Sequence, residues 1–173
     1  FTAIDLASPL PGAQGDYAVI MTAGIDNDAR VDVLSIQRDH FTNDQLISLI
    51  FATDSVYQGR THFKIQKDHF AHALEPLLKR EMSKRGRFIS FELTPISNRE
   101  SKAAKIKGLQ GFFRMGLIRF SDNIGHKQEL IREIVRWPRG GNDDMLDTLS
   151  DLFRTAKGGT SSAMYPDAPR GFF

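Results

Sequence analysis

The chain has 173 residues, 40% of them hydrophobic and 25% charged, enough for one globular domain with a workable core. It contains no cysteine, which excludes disulfides, thiolate metal sites and thiol nucleophiles, so any metal is held by oxygen or imidazole, and Mg²⁺ or Mn²⁺ fits best. No apolar run approaches the ~20 residues of a membrane span and no signal-peptide pattern opens the chain, so a soluble protein with no membrane partner is expected.

The first elements are strands. Residues 2–7, 17–25 and 31–38 are rich in Val, Ile and aromatic side chains, with Asp26-Asn27-Asp28-Ala29 as a turn, which describes an antiparallel meander. In the first of them, Thr2-Ala3-Ile4-Asp5-Leu6-Ala7, one carboxylate stands among apolar neighbours, and Asp5 therefore needs a partner. A loop, Ser8 to Gly15, leads to Asp16 and the second strand. Thr42-Asn43-Asp44-Gln45 caps a helix that carries Leu46, Ile47, Leu49, Ile50 and Phe51 and ends near Gly59. Thr61 to Gln66 reads as a fourth strand, with Phe63 and Ile65 on one face and Lys64 and Gln66 on the other.

From Phe70 the spacing Ala73, Leu74, Leu77, Leu78, Met82 is helical, with Pro76 expected to kink or divide it. Arg87 to Leu93 is a fifth strand. Ser101 to Met115 is a helix burying Ile106, Leu109, Phe112 or Phe113, and Met115. Leu117-Ile118-Arg119-Phe120 is a short extended piece, and a helix follows from about Lys127 to Arg136. Lone Trp137 reads as core or as a hinge to the last helix. That helix runs from about Asp143 to Arg154, with Leu146, Leu149, Leu152 and Phe153 inward. A Gly/Ser/Pro-rich composition then marks residues 156–173 as a flexible tail after a single domain of residues 1–155. Three strands followed by alternating helices and strands indicate a mixed α/β sheet of about five or more strands, flanked by helices.

The run Gly141-Asn142-Asp143-Asp144-Met145-Leu146-Asp147 places two adjacent carboxylates at a helix start and a third a turn later. Adjacent acids repel, and a fold keeps them together where a cation, donors or open solvent relieve the cost. The plain alternative is a solvated helix start with Asn142 as N-cap. Asp5, at the other end of the chain, meets this pair only if the intervening chain folds back.

Net charge is +2, but Lys79, Arg80, Lys84, Arg85 and Arg87 form one basic cluster, and Arg99, Lys102, Lys105 and Lys107 another. Facing an acidic cleft, both stretches would suit a polyanion; otherwise they are the solvated faces of two helices. The five histidines show no ligand spacing, and no phosphate-binding glycine loop is present.

A first-strand Asp, a mid-chain strand ending beside it and a late helix with paired acids form the layout of the ribonuclease H-like nucleases. The sequence resembles the C-terminal nuclease domain of the large terminase subunit of tailed bacteriophages over roughly residues 1–155. The resemblance lies in Ile4-Asp5-Leu6-Ala7, Gly15-Asp16-Tyr17, Phe63 to Lys67, Pro76 to Met82, Lys102 with Lys105 and Lys107, Leu109 to Gly111, Met115 to Phe120, and Arg136-Trp137-Pro138 leading to Asn142 through Asp147. It implies an endonuclease that cuts concatemeric viral DNA at the initiation and end of packaging, using two Mg²⁺ or Mn²⁺ ions about 4 Å apart.

The implied partners are double-stranded viral DNA, a terminase ATPase domain, the small terminase subunit and the portal protein, in the host-cell cytoplasm and transiently on the procapsid. Asp5 then corresponds to the acid bridging both ions, and Asp143 and Asp144 to the late pair, one a direct ligand and the other a ligand or water-holder. Asp16 and Asp147 are secondary candidates, with a turn-capping and a structural role respectively as alternatives. Lys102, Lys105 and Lys107 correspond to DNA-contacting positions. The pattern departs at Gln66, where a Glu is expected: a neutral amide offers a carbonyl oxygen but no charge. Either Gln66 is an isosteric replacement that silences the enzyme, or it is native and Asp68 supplies the carboxylate. A silenced DNA-gripping or portal-docking module is the alternative function. A junction resolvase or transposase on the same fold is disfavoured by the spacing around Asp143 and Asp144.

Overall fold

The computed structural model describes residues 1–6, 17–26, 28, 30–67, 69–95, 101–139 and 143–159. Asp16, Asp68, Asn142, the Ser8–Gly15 loop and residues 160–173, all assigned roles from sequence, lie outside these. Six strands and five helices follow one another: β1 (Thr2–Asp5), β2 (Ala18–Ile25), β3 (Val31–Asp39), α1 (Asn43–Val56), β4 (His62–Lys67), α2 (His69–Arg85), β5 (Ser90–Pro95), α3 (Lys102–Arg114), β6 (Ile118–Phe120), α4 (Lys127–Arg136) and α5 (Asp144–Gly159).

The strands form one sheet in the order β5-β4-β1-β2-β3-β6. The β1–β2 and β2–β3 pairs are antiparallel, as expected of the meander, whereas β4 joins β1, β5 joins β4 and β6 joins β3 in parallel. That order and those directions define a ribonuclease H-like fold. The meander turn is held by Asp26, whose Oδ1 accepts from the backbone N–H of Asp28 at 3.0 Å and of Arg30 at 2.9 Å, a short side chain standing in for a backbone acceptor.

Strand alternation divides the molecule into two cores. Ile4, Leu6, Ile20, Phe63 and Ile65 face α1 and α2, with Ile50, Leu74 and Leu78 packed on them. Ala3, Val19, Met21, Val33 and Ile36 face α3, α4 and α5, against Ile106, Leu109, Leu130, Met145, Leu149, Leu152 and Phe153. Because side chains alternate at period two, the neighbours of Ile4 and Ile65, namely Asp5 and Gln66, project to the α5 side. Helix α1 starts with a capping box between Thr42 and Gln45, as its sequence predicts. It stops at Val56, and Gly59, with φ +73, returns its N–H to the carbonyl of Asp54.

Several boundaries differ from expectation. Pro76 lies inside an uninterrupted α2; it and His72, whose carbonyl loses the i→i−4 donor, are on the exposed face, where water can replace the lost bond. β5 starts at Ser90 rather than Arg87, because Arg87 turns to bind Asp54 and Ser55 at the end of α1. Met115 is 61% exposed rather than buried, since it caps α3 instead of lying on its inner face. Helix α5 continues past Arg154 to Gly159. Trp137 packs against the core around α5. Among the described residues no helix is long and apolar enough to cross a membrane.

Candidate active site

Helix α5 supplies both packing and charge. Met145, Leu146, Leu149, Leu152 and Phe153 form its buried stripe, and Asp144, Asp147 and Asp151, three and four residues apart, line an adjacent edge. Burying the stripe against β1 and β2 turns that edge toward the end of β1, where Asp5 projects. The two ends of the sequence therefore do meet. The carboxyl of Asp5 is pushed up to about 7, first by burial and then by the negative charges of Asp147 and Asp144, while the ammonium of Lys102 opposes the rise.

The first turn of α5 is fixed by two neighbours. Glu133 of α4, only 8% exposed, accepts the Leu146 N–H through Oε2 at 3.0 Å, satisfying one of the unpaired donors of the helix start. Its Oε1 is buried with no hydrogen-bond partner among the described residues. Burial raises the Glu133 carboxyl to about 7; the Leu146 N–H and Arg38 oppose this, and Asp144 and Asp143 reinforce it. Arg38, near the end of β3, stands with Nη2 3.7 Å from Asp144 Oδ2 and its guanidinium 4.1 Å from the centre of the Tyr17 ring. Asp144 is thus approached by a cation and bonded through its backbone carbonyl to the Thr148 hydroxyl at 2.8 Å.

Lysines from the first turns of α3 complete the cluster. Lys102 Nζ lies 2.7 Å from Asp143 Oδ1 and 3.5 Å from Asp147 Oδ2. Burial lowers the tendency of Lys102 to hold its proton, but the bond to Asp143 and the charges of Asp147, Asp143 and Asp144 more than reverse this, and its pKa is raised. Lys105 is 8% exposed and reaches Asp151 Oδ1 at 3.4 Å. Asp151 is held above the usual carboxylate range, mainly by burial against the attraction of Lys105.

Beside these acids a cleft of about 220 Å³ opens between the sheet and α5, lined by Asp5, Lys64, Gln66, Thr94, Lys105, Thr148, Asp151 and Arg154 among others. Gln66 and Asp5 share it. Lys107 is exposed on α3. Of the two alternatives for the Lys79–Arg87 stretch, the structure shows the solvated helix face: it belongs to α2 and its exit, across the sheet from α5. There Lys79 pairs with Glu75 and Arg85 with Glu81 along the helix.

The donor set suits a hard divalent cation: it consists of oxygen ligands, and the carboxyl of Asp5 is both buried and set against the negative charges of Asp147 and Asp144. Among the described residues, no three acids or histidines converge on a single point. Asp143 and Asp147 are directed at Lys102 instead. In chemistry and charge, though not in a closed three-ligand arrangement among the described residues, Asp5, Asp144, Asp143 and Asp147 are donors suited to such an ion.

Asp151, Glu133 and Arg38 were not singled out from sequence. Asp151 follows Asp147 by four residues, a spacing that places it on the same helix edge. Glu133 and Arg38 come from other elements, and nothing local marks them.

No family model and no curated protein sequence matches this chain. Among solved structures, the yeast mitochondrial Holliday junction resolvase Ydc2 is similar, with 13% identity and a TM-score of 0.46, over 90% of this chain and 77% of that one.

Proposed function

We propose that this chain is a divalent-metal-dependent endodeoxyribonuclease, the nuclease domain of a large terminase subunit of a tailed bacteriophage. It would cut concatemeric genome DNA at the start and end of packaging. The observation that carries the nuclease reading is that Asp5, in the cleft with Asp151, lies close enough to Asp147 and Asp144 on α5 to feel their charge, with Lys102 and Lys105 beside them. The packaging assignment is supported by the ordered motifs from Ile4-Asp5 to Asp143-Asp144.

In this reading Asp5, Asp144, Asp143 and Asp147 hold Mg²⁺ or Mn²⁺, and Gln66 lends a carbonyl oxygen from the cleft wall. When bound, the ions supply an activated water and charge stabilisation for phosphodiester hydrolysis. The protein's part is position: Asp5 is fixed by the sheet, Asp144 by the Glu133 and Arg38 contacts, and Lys64, Lys105 and Arg154 give the cleft a positive lining for a phosphodiester. The ATPase domain, small subunit and portal are the proposed partners, and cut-site choice would come from them, since phosphate contacts carry no sequence information.

A second reading, a silenced DNA-gripping or portal-docking module, is favoured by Gln66, which puts a neutral amide in the cleft beside Asp5. The test is cleavage of supercoiled plasmid and of a four-way junction with Mn²⁺ or Mg²⁺, by this chain and its Asp5→Asn and Gln66→Glu variants. The nuclease reading expects nicking or linearisation of plasmid, lost in Asp5→Asn and raised in Gln66→Glu. Retained cutting by Asp5→Asn removes that residue from the mechanism. DNA binding with this chain and Gln66→Glu both inert supports the module, and cutting confined to junctions replaces packaging with resolution.

A further inference from the structure

The ammonium of Lys102 stands where the acids are densest. It is 2.7 Å from Asp143 Oδ1 and 3.5 Å from Asp147 Oδ2, and its charge is felt at Asp5. The side chain belongs to the first turn of α3 and remains 44% exposed, so the amine has a route to solvent. One turn on, Lys105 repeats the arrangement with Asp151. Together the two lysines lay a positive edge of α3 along the acidic edge of α5, above the apolar contact of Ile106 and Leu109 with the core around α5. Asp143 and Asp147, two of the acids proposed above to hold a cation, are turned to this amine.

We infer that Lys102 is a built-in counter-ion that occupies the acid cluster until DNA arrives, and that it exchanges its carboxylates for a DNA phosphate, so that nucleic acid and divalent metal enter the site cooperatively. This rests on the nuclease reading above and adds regulation to it. The physical basis is competition for the same oxygens. An ammonium bonded to Asp143 and attracted by Asp147 satisfies carboxylates that a divalent cation would otherwise take, so metal must displace it. A phosphate offers the displaced amine a new anionic partner within the swing of its four-carbon stem. Anything that lowers the cost of Lys102 leaving raises metal affinity, and by linkage bound metal raises DNA affinity by the same factor. A free domain would then hold metal weakly and cut little, and a domain on DNA would load both.

The experiment is a Mn²⁺ titration of the DNA-free chain by calorimetry, for the unmodified protein, Lys102→Met, which keeps the apolar stem, Lys102→Ala and Asp5→Asn. Circular dichroism reports the fold of each variant. Both Lys102 variants are expected to bind Mn²⁺ about ten-fold more tightly, a coupling of ordinary size. In a second measurement, anisotropy of a short labelled duplex, Ca²⁺ is expected to strengthen DNA binding by the unmodified protein and to do so markedly less in Lys102→Met. Equal or weaker Mn²⁺ binding by both folded Lys102 variants, with Asp5→Asn still lowering affinity, overturns the counter-ion role and leaves the nuclease reading standing. If Asp5→Asn also leaves Mn²⁺ binding unchanged, or neither the unmodified protein nor the Lys102 variants take up the ion, the metal-dependent reading falls as well.

Discussion

Replacing Asp5 with Asn should make the metal-free protein more stable in alkaline solution while removing its proposed function. A carboxyl that ionises near pH 7 in the fold, against an ordinary value of 3.8, binds its proton more tightly when folded. The stability tied to that proton is complete below about pH 4 and is lost as pH rises through about 7. By pH 8.5 the folded state has forfeited about 4 kcal/mol, taking 1.36 kcal/mol for each pH unit between the two values. An amide carries no such penalty, although it must still find partners in a partly buried site, so about half of this is expected to be recovered. At about 2–4 °C per kcal/mol for a chain of this length, Asp5→Asn should melt about 4–8 °C higher at pH 8.5 and almost level with the unmodified protein at pH 4. Thermal unfolding followed by circular dichroism, in chelator, reads this directly. Excess Mn²⁺ should close the gap at pH 8.5 by stabilising only the carboxylate form. A melting difference that does not change with pH, or a lower melting temperature for Asp5→Asn at pH 8.5, would refute the account of Asp5 as an acid held against its neighbours.

Glu133 offers a related test with a built-in control. Gln at this position can still accept the Leu146 N–H, whereas Ala leaves that helix-start donor unpaired, so Ala should be about 1 kcal/mol less stable than Gln at every pH in urea titrations. Because the Glu133 carboxyl is also raised to about 7, Gln should gain on the unmodified protein as pH rises past neutrality; Ala and Gln of equal stability would mean that Leu146 N–H is capped otherwise. For Gln66→Glu, a further negative charge joins the cleft of Asp5. Its melting temperature in chelator should fall by a few degrees and its response to added Mn²⁺ should grow, and an unchanged Mn²⁺ response would exclude position 66 from the ion's surroundings.

The sheet was legible in the sequence because its strands alternate cleanly: Phe63 and Ile65 against Lys64 and Gln66 announce both the strand and which side faces the site. The acid pair and Asp5 were legible as chemistry, since charges in such settings demand relief. Arg38 and Glu133 were not, because their role comes from the crossing of β3 and α4 with the start of α5, a tertiary event that leaves no local pattern. The lysines were legible as cations, but their partners were not: Lys105 looks like a surface residue until α3 is laid on α5 and the side chain is buried against Asp151. The span of α2 was masked by Pro76, whose helix-breaking tendency is tolerated on an exposed face.

In α5, hydrophobic and acidic positions interleave: Met145, Leu146, Leu149 and Leu152 anchor the fold, and Asp144, Asp147 and Asp151 sit between them. A random mutational screen of this helix for inactive protein would therefore return mostly collapsed or insoluble chains. Truncating Leu149, for example, removes a fully buried side chain and costs several times what a surface change does. Only shape-preserving exchanges of carboxylate for amide can separate what the helix holds up from what it does.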